Sequence, residues 1–251
     1  MLLAIDMGNT STSFALFEGP KIKKFFFYKT SFFIQNNTLF SLFKKNGISR
    51  HKISEICIAS VVPRLTTPLK IKLKKIFPHI KPLFVSSSLN TSLLYKVEKP
   101  KEIGADRIAN AVAAFRNNKK DLVVIDFGTA TTFDYISKNG EYHGGIIVPG
   151  IEIAFQALFE KAAKLKKIKL QRPKCVIGKN TKENIQSGFF HGYGSLVDGI
   201  ISKMKKEVQK PLYVIATGGF SSLMVQACTK IHTVDPYLTL KGIQIVFSKN
   251  A

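Results

Sequence analysis

One pattern occurs twice in this chain. Each copy has an apolar run that stops at an aspartate, a glycine two residues later, a group of small hydroxyl residues and a second β-prone run. The first copy is centred on Asp6 and the second on Asp126, 120 residues further along. A duplicated unit of this kind predicts two similar α/β domains, 1–116 and 117–251, that face each other across a cleft.

A shorter echo supports the duplication. Residues 58–60 and 214–217 both have the pattern of a short buried strand that ends in small residues. Apolar residues at helical spacing predict helices over 38–46, 68–77 and 108–115. Strands and helices therefore alternate along the chain, which is typical of an α/β protein.

The turn after the first predicted strand is suited to binding phosphate groups. Gly8 lets the backbone approach an anion closely, and residues 9–13 supply hydroxyl or amide donors. Asp6 ends the strand, where its carboxylate can hold a cation that neutralises the phosphates. The Gly-x4-Gly-Lys pattern of a P-loop is missing. A single copy could equally be an ordinary polar hairpin, and the second copy favours phosphate binding.

A second candidate segment precedes the helix predicted at 108–115. Gly104 and Ala105 leave room for a ligand, and Asp106 lies near the helix N-terminus, where a negative charge is favoured. Arg107 is a permanent cation suited to a carboxylate or a phosphate. Taken alone, the segment is better explained by a helix cap with a surface ion pair than by a ligand site.

The pattern of a third segment, 177–181, predicts a loop that caps an amphipathic helix. Glycines recur in that helix at 188, 192 and 194. They predict close helix packing, within the chain or between subunits.

The charge balance raises the question of a polyanionic partner. The chain carries 38 Lys+Arg against 16 Asp+Glu, a formal charge of +22. The basic residues are scattered, with short runs at 70–75 and 161–169, and they do not alternate with aromatic residues as a stacking platform requires. No nucleic-acid-binding signature is present. A lysine-rich surface is therefore the favoured explanation, and a nucleic-acid partner is not expected.

Cysteine, histidine and hydropathy patterns exclude other classes. The three cysteines are widely spaced without a CxxC, and none of the five histidines forms a metal-binding pair. Neither a disulfide framework nor a zinc site is expected, which fits a reducing cytoplasm. The start lacks a signal peptide, and the most apolar stretch, 25–34, is too short to span a bilayer. We therefore expect a soluble cytoplasmic protein.

Taken together, these segments resemble type III pantothenate kinase, a family in the superfamily of actin, hexokinase and Hsp70. The resemblance covers nearly the whole chain, and the order and spacing of its motifs are specific. The matching segments are 6–10, 102–107, 126–132, 144–150, 177–181, 186–188 and 217–219.

The resemblance implies a fold, a reaction and cofactors. The fold would be two ribonuclease H-like (actin-like ATPase) domains facing across a nucleotide cleft. The reaction would be ATP-dependent phosphorylation of pantothenate, the first step of coenzyme A synthesis. It would require Mg²⁺ and a monovalent cation, K⁺ or NH₄⁺. Such enzymes resemble obligate homodimers in which the partner subunit helps to close the pocket.

The resemblance also assigns roles to individual residues. Asp106 would accept the proton of the attacking hydroxyl. Asp126 would bind the monovalent cation, and Asp6 would lie near the divalent one. ATP phosphates would be bound by Asp6, Met7, Gly8, Asn9, Thr10, Ser11, Thr12, Ser13 and Thr129. Pantothenate would be contacted by Gly104, Ala105, Asp106, Arg107 and Thr181.

One position departs from the family pattern. Members often carry a tyrosine nine residues before the catalytic aspartate, and here that position is Val97. Tyr95, two residues earlier, is a candidate replacement. Two other functions stay open: a non-catalytic regulator on the same scaffold, and a different kinase or a phosphatase of the superfamily. Retention of Asp106 favours the kinase over the regulator.

Overall fold

A computed structural model describes residues 1–33, 38–162, 165 and 167–251. The last residue of the apolar stretch 25–34 and parts of the basic run 161–169 lie outside these ranges. The chain forms two compact units, Met1–Asn117 with Tyr237–Ala251, and Asn118–Pro236. The predicted boundary at 116/117 puts the C-terminal segment in the second half of the chain, whereas by contact it belongs with the first unit.

A mixed sheet forms the centre of the first unit. Its strand order is β3-β2-β1-β4-β5, with the first three strands antiparallel and the last three parallel. The central strand is buried on both faces, and Phe14 stacks on Phe26 with ring centroids 4.9 Å apart. The strands are β1 (Leu2–Met7), β2 (Ser11–Glu18), β3 (Lys21–Lys29), β4 (Glu55–Ser60) and β5 (Leu83–Phe84). A two-residue strand, β6 (Leu94–Tyr95), follows.

The helices predicted in the first unit are present, but two of them begin earlier than predicted, and the one predicted over 108–115 starts at Ala105. The helix predicted over 68–77 begins at Pro63, because a proline is well suited to the first helical position and Pro63 takes that place. Pro68 lies inside the helix. The helices are α1 (Thr38–Lys45), α2 (Pro63–Ile76) and α3 (Ala105–Asn117), with 3-10 turns at Thr30–Phe33, Arg50–Lys52 and Pro100–Glu102.

The second unit repeats the strand arrangement of the first. Its strands run in the order β9-β8-β7-β10-β11, antiparallel up to β7 and parallel from there on. The predicted echo between 58–60 and 214–217 is confirmed, since β4 lies parallel to β1 and β10 lies parallel to β7. The strands are β7 (Leu122–Phe127), β8 (Ala130–Ile136), β9 (Glu141–Pro149), β10 (Tyr213–Thr217) and β11 (Thr233–Val234).

The remaining helices pack through glycines at two points. The last helix packs on α3, and a Cβ on Gly242 would overlap the carbonyl of Ala109, so only glycine permits this approach. In the second unit a Cβ on Gly194 would lie 2.4 Å from the Ala227 carbonyl oxygen, whereas Gly188 and Gly192 have open space around them. Close packing is therefore confirmed for Gly194 alone of the three glycines. The helices are α4 (Ile151–Lys161), α5 (Thr181–Val208), α6 (Ser221–Met224) and α7 (Leu238–Asn250).

None of the helices in the described ranges has the length and apolar character needed to cross a bilayer.

Candidate active site

The first hairpin places its polar residues at the end of β1. Asp6 pairs with Ser13 and Met7 with Thr12 across β1 and β2. The connecting turn is short, because the Gly8 amide donates to the Ser11 carbonyl at 3.0 Å. A Cβ on Gly8 would lie 3.1 Å from that oxygen, so glycine suits the turn.

The predicted phosphate-binding residues of the first hairpin differ in exposure, and Asp6, Gly8 and Ser13 are half-buried. Asn9, Thr10 and Ser11 are exposed at the tip. Met7 and Thr12 are buried in the core, so their side chains face away from solvent. The hydroxyl residues 11–13 belong to β2 and not to the turn, because strand pairing continues to Met7 and Thr12.

Thr30, which the sequence analysis missed, fixes this turn. Its amide donates to the Thr10 carbonyl at 2.9 Å, and its hydroxyl donates to the Gly8 carbonyl at 2.7 Å. Since that donation uses the single hydroxyl proton of Thr30, the Thr12 hydroxyl donates to Thr30 Oγ1 at 3.0 Å. A threonine directly after the β3 pattern is too common a signal to have identified it.

The second candidate segment forms the start of α3. Asp106 lies in the first helical turn and is half-buried, and its Oδ1 accepts the backbone N–H of Arg107 at 2.7 Å. The helix N-terminus favours this negative charge. A Cβ on Gly104 would lie 2.5 Å from Asp106 Oδ1, so a side chain at 104 would displace the carboxylate.

Val61 connects this helix start to the hairpin. Its amide donates to the Met7 carbonyl at 3.1 Å, and its Cγ1 lies 3.3 Å from the Cβ position of Gly104. The first unit therefore brings the end of β1 and the Gly104–Asp106 segment to the same residue, although about a hundred residues separate them in sequence.

The second hairpin has the same register as the first. Asp126 pairs with Thr132 and Phe127 with Thr131. Thr129 lies at the tip, where its carbonyl accepts the Gly150 amide at 3.1 Å. In the described part of the chain, the Oγ1 atoms of Thr131 and Thr132 are buried without a hydrogen-bond partner.

Gly218 lies against Asp126. Its φ is +91°, and a Cβ there would overlap Asp126 Oδ1 and lie 2.7 Å from the backbone of Phe127. Side chains other than hydrogen are therefore excluded at this point, and the carboxylate is held beside the backbone that follows β10.

Thr181 begins α5 and is exposed. The helix is capped by Asn180, whose side chain accepts from the Glu183 amide at 3.0 Å, while Glu183 accepts from the Lys179 amide at 2.8 Å. The hydrogen bonds from Lys179 and Asn180 lower the pKa of Glu183. The predicted helix cap is confirmed, and contact of Thr181 with a substrate stays a prediction.

Tyr95, the candidate replacement for the family tyrosine, is half-buried, and its hydroxyl lies 3.0 Å from Thr91 Oγ1. Burial raises the pKa of Tyr95. Val97 lies on the same segment and is also half-buried. Whether Tyr95 forms a wall of the substrate pocket stays a prediction.

No group of three or more His, Cys, Asp or Glu residues in the described ranges could hold a metal ion by itself. Any cation at Asp6 or Asp126 would therefore take most of its ligands from hydroxyl, carbonyl, phosphate or water oxygens.

Comparison with known proteins decides the family. The family model described as type III pantothenate kinase matches residues 2–203. The chain belongs to the type III pantothenate kinase family. It is 41% identical to the type III pantothenate kinase of Myxococcus xanthus, covering 100% of this chain and 99% of the relative. It is 42% identical over 100% of both chains to that of Anaeromyxobacter dehalogenans.

Solved structures confirm the α/β fold with two sheets. A Campylobacter jejuni protein described as a candidate Baf family transcriptional activator has a TM-score of 0.62 at 21% identity, covering 98% of this chain and 97% of its own. Component A of the (R)-2-hydroxyglutaryl-CoA dehydratase of Acidaminococcus fermentans has a TM-score of 0.54 at 13% identity, covering 98% and 95%. At these identities the likeness is one of fold. The type III pantothenate kinase family predicted from the motifs is confirmed.

Proposed function

We propose that this chain transfers the γ-phosphoryl group of ATP to the primary hydroxyl of pantothenate, giving 4'-phosphopantothenate in the first step of coenzyme A synthesis. The observation that carries the proposal is the carboxylate of Asp106. It is held at a helix start, beside a glycine that leaves it space, and Val61 links it to the end of β1. Family membership supplies the substrate.

The first hairpin would bind ATP phosphates. Asn9, Thr10 and Ser11 present hydroxyl and amide groups to solvent at its tip, and Thr30 holds the turn in shape. Met7 and Thr12 would contribute through the backbone, since their side chains are buried. Mg²⁺ would neutralise phosphate charge, with Asp6 as its protein ligand or a ligand to its water.

The helix start would bind and activate pantothenate. Asp106 would orient the primary hydroxyl and accept its proton as the new P–O bond forms. Arg107 would pair with the substrate carboxylate, for which the guanidinium geometry is suited. Gly104 and Ala105 would line the pocket, and Thr181 would contribute a further polar contact.

The second hairpin would hold a monovalent cation, K⁺ or NH₄⁺. Asp126 and Thr132 are directly paired across β7 and β8, so their side chains lie on the same face of the sheet. The Thr132 hydroxyl is buried and has no hydrogen-bond partner among the described residues, so it is the kind of oxygen that such a cation would satisfy. Thr129, at the tip, would contact phosphate.

Replacement of the proposed base tests the reaction. Asp106→Asn keeps the shape of the side chain but removes its ability to accept a proton, and we expect turnover to fall by about two to four orders of magnitude. Coupled measurement of ATP consumption with and without pantothenate gives the rate, and calorimetry with Mg-ATP checks that the nucleotide still binds.

Glu102→Gln is a matched control, since it removes an exposed carboxylate from the same segment. Near-normal turnover of Asp106→Asn would contradict the proposal that Asp106 accepts the proton of the substrate hydroxyl. Wild-type ATP consumption that is indifferent to pantothenate would contradict the proposed substrate.

We also propose a homodimer, formed through the second unit. Isoleucine and valine side chains are exposed there, with Ile177 at 85% and Val176 at 67%. The loop that carries them is tied to α5 by the Ser187 hydroxyl, which donates to the Val176 carbonyl. Gly192 leaves open space on the same helix. Light scattering should give twice the chain mass, and a monomer at micromolar concentration would contradict this.

A further inference from the structure

An open pocket of about 570 Å³ lies in the second unit, away from the residues discussed so far. It is formed where β7, β10 and β11 begin and where β8 turns into β9. The candidate site residue Asp126 lies near the other end of β7, five residues beyond Asp121. At about 3.3 Å per residue, that separates the two places by about 17 Å.

The described residues that line this pocket include four lysines, Lys119, Lys120, Lys138 and Lys210. They come from three separate segments, so their meeting follows from the fold and not from a single basic run. Asp121 is the one carboxylate among the described lining residues. The lining therefore carries a net charge of +3, from four lysines and one aspartate, with His232 counted as neutral.

The Asp121 carboxylate already has a hydrogen-bond donor and a lysine close to it. Asp121 is buried and accepts the Tyr135 hydroxyl at 2.7 Å, and it lies 3.7 Å from Lys210 Nζ. Bringing four ammonium groups around one such carboxylate leaves an excess of positive potential in a concave site, which concentrates anions.

Two residues with aromatic rings, Tyr213 and His232, also line the pocket. The Lys120 ammonium lies 4.6 Å from the ring centroid of Tyr213, which helps to fix its position. His232 Nδ1 accepts the Val214 amide at 3.0 Å, so a neutral imidazole carries its proton on Nε2 and can donate from there. Apart from Asp121 and the apolar Pro211 and Leu212, the described side chains that line the pocket are therefore cations or groups that can donate a hydrogen bond.

Helix electrostatics account for only part of this cluster. Lys205 and Lys206 lie in the last turn of α5, where cations stabilise the helix dipole, and they line a neighbouring pocket. Lys120 and Lys138 lie on no helix, and Lys210 follows the C-cap residue Gln209. Lys120 and Lys138 therefore need another explanation, whereas Lys210 lies next to the end of α5 and can also stabilise the helix dipole.

We propose that this pocket binds a compact multivalent phosphate anion, with the charge and size of pyrophosphate to tripolyphosphate. The volume is large enough for such a ligand, and pockets of this size commonly hold small molecules. Both the Lys120 ammonium and the His232 ring already lie against Tyr213, so recognition is of the phosphate chain and not of a stacked base. The site is separate from the proposed ATP-binding residues and does not depend on the reaction assigned above.

Calorimetry with inorganic tripolyphosphate tests the site. The full chain is titrated with Mg²⁺ and a saturating non-hydrolysable ATP analogue present, so that the nucleotide site is occupied. We expect one tripolyphosphate per chain, and we expect the triple variant K120Q/K138Q/K210Q to bind it about tenfold more weakly, as three partly exposed ion pairs would give. Inorganic phosphate should bind much more weakly than tripolyphosphate, because it presents fewer charges to the same lysines.

The matched control is K21Q/K45Q/K81Q, which removes the same charge from exposed lysines of the first unit. Its affinity should stay within about twofold of wild type. An equal loss in both triple variants would show general attraction to a basic protein and would overturn the proposal, as would an unchanged affinity in K120Q/K138Q/K210Q.

Amine labelling of the wild-type chain gives a result that does not depend on how the variants fold. Under the same conditions, tripolyphosphate should slow acylation of Lys120, Lys138 and Lys210 relative to Lys21 and Lys81, as read by mass spectrometry. If tripolyphosphate left the acylation rates of Lys120, Lys138 and Lys210 unchanged relative to those of Lys21 and Lys81, the proposed site would be contradicted.

Discussion

The two hairpins share a backbone plan but differ in how their polar side chains are satisfied. β1 and β7 have the same burial pattern along six residues, and each ends with a half-buried aspartate followed by a buried apolar residue. Thr12 in the first hairpin corresponds to Thr131 in the second, since each is paired with that buried residue.

Those two threonines have different surroundings. Thr12 donates to Thr30, which in turn donates to the Gly8 carbonyl. Among the described residues, Thr131 has no such partner, and neither has Thr132. A repeated backbone therefore does not guarantee a repeated hydrogen-bond network, because the third partner comes from another segment. The first hairpin is held by a hydrogen-bond network within its own unit, whereas the second keeps the Thr132 hydroxyl, on the same face as Asp126, for a ligand to satisfy.

Of the predictions that compare the two hairpins, the largest effect is expected at Gly218, beside the second hairpin, and concerns the free energy of unfolding. Gly218→Ala would force a side chain into a left-handed conformation and against the backbone of Phe127. We expect a loss of about 2–4 kcal/mol in the free energy of unfolding, from backbone strain and overlap together. Urea unfolding measures it. Gly219→Ala is the control, since a Cβ there meets nothing within 4 Å. If both variants lost the same amount of stability, contact between Gly218 and the second hairpin could not be the reason that glycine is required at 218.

The next prediction separates the roles of the two aspartates. Asp6→Ala should weaken Mg-ATP binding by about 10- to 100-fold, as loss of a metal-associated carboxylate does. Asp126→Ala should instead abolish the difference in activity between potassium and sodium buffers. Calorimetry and steady-state rates in both salts give the two readouts. Identical behaviour of the two variants would contradict the separate roles proposed for Asp6 and Asp126. Equal wild-type activity in both salts would contradict the proposed requirement for a monovalent cation.

The smallest effect concerns the two threonines. Thr12→Val breaks the hydroxyl contact to Thr30 and should cost about 1 kcal/mol of stability. Thr131→Val removes a buried hydroxyl that has no partner among the described residues, so stability should be unchanged or rise by up to about 1 kcal/mol. Urea unfolding of both variants in parallel checks this. A comparable cost at both positions would mean that Thr131 is satisfied in solution.

Local sequence patterns were sufficient to predict much of the candidate site. The end of the apolar run at Asp6 and Asp126, the helix start around Asp106 and the cap ahead of Thr181 each depend on residues close together in sequence. Strand and helix ends were less predictable. The hydroxyl residues 11–13 belong to β2, because strand pairing with β1 continues to Thr12. The start of α2 at Pro63 has a local cause that the prediction overlooked, since proline suits the first helical position.

The sequence by itself determined the duplication, the family and the residues that could carry the chemistry, because these depend on residue type and spacing. Only the tertiary structure showed that Thr30 fixes the first turn, that Gly218 lies against Asp126 and that α7 belongs with the first unit. It also showed which hydroxyls lack a partner among the described residues. Each of these depends on a contact between segments far apart in the chain, and local propensity does not encode such a contact.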